Sequence, residues 1–244
     1  MNTEAYTSLH DAHVLVFGAS TGIGLAAAMA TKRHGASVTL VGRTLAKLDA
    51  AAAAIGGART AVADIADRKS VEAVFAGTKR LDHLVITAGS LRVGRLADTD
   101  PDELLIAVHE RIAGSLYAIK AALPLMPPTG SIVLTGGLLS SRPTGNGTAV
   151  VSAAVRGVEG LARSLALELK PIRVNVISPG YVDTPMYDSF GAEGRATILK
   201  EAAEVLPGGR IGSASEVGAA ILFLLINGYV NGEVLHIDGG HRFV

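Results

Sequence analysis

A chain of 244 residues with 49% hydrophobic and 18% charged side chains can bury the core of one α/β domain and does not read as disordered. Lys+Arg and Asp+Glu number 22 each, so the formal net charge is zero and no nucleic-acid footprint is present. No apolar run reaches the roughly 18 residues of a membrane span. The polar stretch Met1 to Asp11 has no signal-peptide core. With no Cys there is no disulfide frame and no thiolate metal site, and His236 and His241 are too scattered to suggest a metal. These absences point to the cytoplasm, to no membrane partner and to a small-molecule substrate.

The first element is an apolar run, His13–Gly18, that reads as a buried strand. It leads through Gly18-Ala19-Ser20-Thr21-Gly22-Ile23-Gly24 into a helical pattern, Gly22–His34. A glycine-rich turn between strand and helix leaves bare N–H groups at the helix N-terminus, which attract phosphate. Gly18 serves the tight turn, Gly22 the close approach of a pyrophosphate, and Gly24 the packing of helix on strand. Ser20, Thr21 and Ile23 share that turn. The spacing is G-x-x-x-G-x-G, and a purely structural turn is the competing reading.

Strand patterns follow at Ser37–Gly42, Ala58–Ala63, Leu81–Ile86, Ser131–Thr135, Arg173–Ile177 and Glu233–Ile237. Helical patterns fall at Leu45–Ile55, Ser70–Ala76, Asp102–Met126, Thr148–Leu169 and Ala214–Ile226. Apolar strands alternating with helices predict a single Rossmann-like domain over residues 1–244, a doubly wound, seven-stranded parallel sheet with helices on both faces. Residues 1–11 form a polar extension. The segment 186–212 is weakly patterned and predicts no element.

In such a sheet the ligand lies beyond the carboxyl ends of the strands. The second strand ends in Gly42, where an acid would favour NAD. Arg43 and Thr44 follow and suit a 2′-phosphate, so NADP(H) is expected over NAD(H). Asp64, beside Ile65 at the end of the third strand, reads either as an acceptor for the adenine amino group or as a helix N-cap near Asp67.

Taken together the chain resembles the short-chain dehydrogenase/reductase family over almost its whole length. The glycine turn resembles that family's TGxxxGxG, with Phe17 for Thr. Leu84–Gly89 is similar to its NNAG stretch with both Asn replaced. Arg173–Pro185 and Asn231–Gly240 resemble its last two strands. The resemblance implies a nicotinamide cofactor across the strand ends. Ala88 and Gly89 then pass close to the adenosine ribose, Pro179 and Gly180 lie under the nicotinamide, Val182 offers backbone groups to the carboxamide, and Thr184 reaches a phosphate. It also implies a lid over residues 186–212, and a homodimer or homotetramer.

The resemblance fails at the chemistry. The family uses Ser, Tyr, Lys and Asn. The Tyr phenol donates the proton because a nearby Lys lowers its pKa, and Ser binds the carbonyl oxygen. Here Gly137, Val151, Val155 and Arg111 stand at those positions. Loss of a positioned general acid costs ~10²–10⁴ in rate. Val151 and Val155 continue with Val158, Ala162, Leu165 and Leu169 as a helical stripe, read either as core or as a wall of a changed pocket. Tyr181, Tyr187, His109 and the Ser140–Ser141 pair are substitute proton carriers by position, each read as structural or surface. No catalytic residue is assigned. The expected function is an NADP(H)-dependent oxidoreductase with an unconventional proton source; the alternative is a non-catalytic NADP(H)-binding sensor or partner subunit.

Overall fold

The computed structural model describes residues 9–244, so most of the polar extension (residues 1–8) lies outside the described part. Seven parallel strands form one sheet: β1 (His13–Phe17), β2 (Ser37–Gly42), β3 (Arg59–Val62), β4 (His83–Ile86), β5 (Ser131–Thr135) and β6 (Arg173–Pro179), with Val234–Ile237 at the edge beside β6. The order is β3-β2-β1-β4-β5-β6 and then that last strand, so the chain reverses direction across the sheet between β1 and β4. The expected fold is borne out, with strand limits shifted by a residue or two.

Helices cover both faces: α1 (Gly22–Arg33), α2 (Leu45–Ala54), α3 (Arg68–Val74), α4 (Pro101–Val108), α5 (Gly114–Ala122), α6 (Ala149–Glu168), α7 (Gly191–Val205) and α8 (Ala214–Ile226). Alternate strand residues feed two cores, because successive Cβ atoms leave opposite faces. Leu15, Phe17, Leu84, Ile132 and Val174 pack under α3, α5 and α6. Val14, Val16, Leu40, Val85 and Val133 pack under α1, α2 and α8. Buried on both faces, such strands read as continuous apolar runs.

Two elements correct the sequence reading. The pattern Asp102–Met126 is not one α-helix: a π-helical turn at His109–Ala113 separates α4 from α5, and a 3-10 turn at Leu123–Leu125 ends the run. The segment 186–212 is not patternless. It contains a 3-10 turn (Pro185–Phe190) and then α7, which buries only Leu199 and Ala202. Two short strands, β7 (Val182–Asp183) and β8 (Gly212–Ser213), pair side by side and close the base of this excursion; the edge strand Val234–Ile237 is β9. A capping box then starts α8: Ser213 Oγ accepts from Glu216 N at 3.3 Å, and the Glu216 carboxylate accepts from Ser213 N at 2.8 Å. Arg210 and Ser213 hold the Glu216 carboxyl down at about 2.

Part of the family-like strand segment is structural. Arg173 is buried and donates to the carbonyls of Leu224, Leu225 and Val230, closing the C-terminal end of α8. Asn175 Nδ2 donates to the Val230 carbonyl and Oδ1 accepts from Glu233 N, fixing β9 beside β6.

Candidate cofactor and substrate site

The glycine turn is built by close approach. Gly18 has φ +81°, and a Cβ there would lie 2.8 Å from Ala88 N and 2.8 Å from Thr87 Oγ1. A Cβ on Gly24 would lie 2.2 Å from the Gly18 carbonyl oxygen. Thr87 Oγ1 donates to the Phe17 carbonyl at 2.8 Å, tying the end of β4 to the turn. The opening of α1 is left bare: Thr21 makes no side-chain cap, and no acid stands in the first turn. Its dipole therefore offers unpaired N–H groups to an anion.

The structure brings Ser20, Gly22 and Thr184, among the sequence-predicted cofactor residues, together at this edge. Gly22 lies under Thr184, whose Cβ and Cγ2 are each 3.3 Å from where a Gly22 Cβ would sit. Ser20 Oγ lies 3.6 Å from a Cβ built on Gly42, so the turn abuts the end of β2. Arg43 there is exposed, and Thr44 stands as the N-cap of α2 with its hydroxyl unused in capping and no acid in the first turn. A group with two phosphates and a third anionic oxygen cluster fits this donor set: backbone N–H at α1, and hydroxyl, N–H and guanidinium at α2. Gly180 lies against Asp238, a Cβ there falling 2.7 Å from Asp238 Cα.

Asp64 is only partly available. Its Oδ1 accepts from Ala66 N at 2.9 Å. The N-cap reading is corrected, since Asp67 itself caps α3, accepting from Lys69 N at 2.9 Å. The neighbouring Ile65 is buried, and its carbonyl oxygen lies 2.6 Å from where a Cβ on Gly114 would stand.

The π turn explains Arg111. Widening the helix turns two consecutive residues inward, and Glu110 and Arg111 are only 6% and 8% exposed. The Glu110 carboxylate accepts from Ser90 N and Ser90 Oγ, each at 2.6 Å, while Arg111 Nη1 donates to the Ser90 carbonyl at 2.7 Å. The guanidinium carbon lies 3.1 Å from a Cβ built on Gly89, so a side chain there would press on the Arg111 side chain. Burial lowers the Arg111 pKa, opposed by Glu110. The position expected to hold Asn is thus a charged clamp on the Gly89–Ser90 loop.

Val151 and Val155 are 1% and 3% exposed, yet neither joins the core that takes Val158, Ala162 and Leu165, nor the core on the opposite face. Instead a Cβ on Gly137 would touch Val155 Cγ1 at 3.7 Å. Apolar side chains therefore close the place where the strand end of β5 faces α6. Of the substitute proton carriers, His109 is out of reach. Its Nε2 pairs with the Ala66 carbonyl at 3.1 Å and its ring meets Tyr117 edge-on, on the β3 side of the sheet. Tyr187 is buried and its phenol is pushed up by that burial. Ser140 Oγ, on the turn after Gly137, is buried without a hydrogen-bond partner among the described residues. One feature was missed in the sequence: Tyr181 stacks on both Tyr187 (6.2 Å) and His241 (5.2 Å).

The family model described as enoyl-(acyl carrier protein) reductase matches residues 18–242. The chain belongs to the short-chain dehydrogenase/reductase family. It is similar to a 3-oxoacyl-[acyl-carrier-protein] reductase of Bos taurus, 37% identical over 234 residues, covering 92% of this chain and 95% of that one. It is similar to carbonyl reductase family member 4 of Xenopus laevis, 32% identical over 236 residues, with 92% and 95% covered. Among solved structures it resembles a small-chain dehydrogenase in complex with NADPH, with TM-score 0.83, 30% identity and 96% and 99% of the chains covered. As an oxidoreductase family built on this fold, the short-chain dehydrogenases/reductases bind a nicotinamide cofactor. Among the described residues no cluster of His, Asp or Glu forms a metal site, and no helix is long and apolar enough to cross a membrane.

Proposed function

We propose that this member of the family binds NADP(H) and reduces a small carbonyl or otherwise activated substrate without the usual tyrosine. The observation that carries the reading is the conjunction of the uncapped glycine turn under Thr184 with Arg43 and the free cap of Thr44. On this reading Gly18, Ser20, Thr21, Gly22, Ile23 and Gly24 receive the diphosphate. Arg43 and Thr44 take the 2′-phosphate. Asp64 and Ile65 border the adenine, Ala88 and Gly89 the ribose, and Pro179, Gly180, Val182 and Thr184 the nicotinamide half. Residues 186–212, hinged at the β7–β8 pair, form the lid. Carbonyl substrates are supported by the reductase names of both curated relatives.

The apolar closure by Gly137, Val151 and Val155 favours a second reading, a protein that holds NADP(H) without turning it over. An exposed apolar groove of about 300 Å³ lined by Leu105, Val108, Ile112 and Leu116 supports pairing of the α4–α5 face with a second copy.

One titration tests the binding claim. The chain has no Trp, so tyrosine emission quenched by energy transfer to the dihydronicotinamide reports binding directly. NADPH is expected to bind at micromolar levels and NADH at least tenfold more weakly. Arg43→Ala should erase that preference, because a charge-assisted contact of about 1.5–3 kcal/mol is worth roughly 10–100-fold. Equal affinity for both nucleotides would remove the NADP assignment. Absorbance at 340 nm with a carbonyl panel then separates the two readings: binding without oxidation selects the second.

A further inference from the structure

β5, β6 and β9 run side by side and parallel, so the residues after their carboxyl ends share one edge. Gly137 follows β5, Tyr181 follows β6, and His241 follows β9. The last turn is rigid. Asp238 Oδ1 accepts from Gly240 N at 3.1 Å, its Oδ2 accepts from Arg242 N at 3.2 Å, and its carbonyl accepts from His241 N at 3.0 Å. The His241 ring lies on Tyr181 with 30° between planes, and Tyr181 in turn lies on Tyr187. His241 Nδ1 is buried and has no hydrogen-bond partner among the described residues. A buried nitrogen left unpaired is costly, and a ligand oxygen would relieve it.

We propose that His241, positioned by Tyr181, exchanges the proton with the substrate oxygen in place of the absent tyrosine. The inference rests on the reading that the chain reduces a carbonyl with NADPH. The carbonyl carbon accepts hydride from the dihydronicotinamide, the C=O π pair moves onto oxygen, and the imidazolium N–H bond breaks as the O–H bond forms. The substrate is reduced to an alcohol, the nicotinamide is left oxidised, and neutral His241 regains its proton from water. Tyr181 faces the ring, and the charges that act on it are Arg142 and Asp238; the Arg242 guanidinium turns to Phe243 and Asp238. Burial and the Arg142 charge lower the His241 pKa, and Asp238 opposes them. Reduction should therefore accelerate as pH falls through the depressed imidazole pKa, a dependence that a buried structural histidine would not impose.

The decisive readout is independent of turnover. The wild-type His241 imidazole is titrated by NMR in complexes saturated with NADPH and with NADP⁺, its signal assigned by comparison with His241→Gln. The two nucleotides differ by one positive charge on the nicotinamide ring, so a histidine within about 10 Å should titrate about one pH unit lower with NADP⁺. Identical titrations in the two complexes overturn the proposal. If NADPH does not bind at all, the reading beneath it fails instead. On an active carbonyl, His241→Gln should retain NADPH binding and lose about 100-fold or more in kcat; an unchanged kcat also overturns the proposal.

Discussion

Replacing Gly24 by Ala is expected to abolish NADPH binding, with a loss of affinity of at least about 100-fold, and to destabilise the fold. The new methyl would stand 2.2 Å from the Gly18 carbonyl oxygen and 2.5 Å from Thr87 Oγ1. Neither atom can yield locally. Gly18 is held by its N–H to the Val41 carbonyl at 2.9 Å, and Thr87 Oγ1 by its bond to Phe17 O. Relief must come from lifting α1 off β1, which displaces the N–H groups that would face the diphosphate. Overpacking costs typically ~1–3 kcal/mol, and about 1 kcal/mol moves Tm by roughly 2–4 °C in a domain of this size. Calorimetry should show a drop of about 2–12 °C. Gly160→Ala is the control, since among the described residues nothing lies within 4 Å of a Cβ at that exposed α6 position. It should leave binding intact and hold or raise Tm, Ala being the better helix former by about 1 kcal/mol. Equal behaviour of the two variants would deny the close-packed turn its role.

Restoring three of the family's four groups, Gly137→Ser with Val151→Tyr and Val155→Lys while Arg111 is kept, should raise NADPH-dependent reduction of generic ketones by ~10²-fold or more, the usual worth of a positioned acid. Space exists for the serine, whose Cβ would rest at ordinary contact distance, 3.7 Å, from the present Val155 Cγ1. The lysine is the costly member. Position 155 is only 3% exposed, and burial disfavours the ammonium. Next to Tyr the same charge lowers the phenol pKa from about 10 toward neutrality, which is the function sought. Val155→Lys alone should therefore lower Tm without adding activity, and the triple variant should recover part of the loss. The gain should persist with His241→Gln, because the restored phenol supplies its own proton. A triple variant that binds NADPH yet shows no gain would place the obstacle in pocket shape and not in proton supply.

The sheet is legible because its central strands β1, β4 and β5 are buried on both faces and read as apolar runs, while β3, with no buried residue, is marked only by its place between two helical patterns. The cofactor turn was legible because Gly18, Gly22 and Gly24 stand between a strand and a helix. Helix α7 was not legible: it buries only Leu199 and Ala202 and carries Gly191 and Gly194, so no apolar stripe announces it. The π turn leaves one trace, the adjacent charges Glu110 and Arg111 inside an apolar helix. Neighbours in a 3.6-residue helix point about 100° apart, so a shared inward target implies a wider turn. His241 is not legible as a site residue, because its surroundings depend on β9 lying beside β6, a tertiary fact that puts residues sixty positions apart in ring contact. Val151 and Val155 fit both a core stripe and a pocket wall, and only the proximity of Val155 to Gly137 turns them toward the strand ends.

An intact dinucleotide seat, with aliphatic carbons in the place of the proton relay, would show itself in a crystal structure with NADPH. The diphosphate should lie on the turn from Ser20 to Ile23, the 2′-phosphate between Arg43 and Thr44, and the nicotinamide over Pro179–Gly180. Val151 and Val155 should offer no polar atom near the reactive carbon, and the nearest protonatable group should come from His241. A cofactor bound away from the glycine turn, or one whose 2′-phosphate leaves Arg43 untouched, would contradict that arrangement.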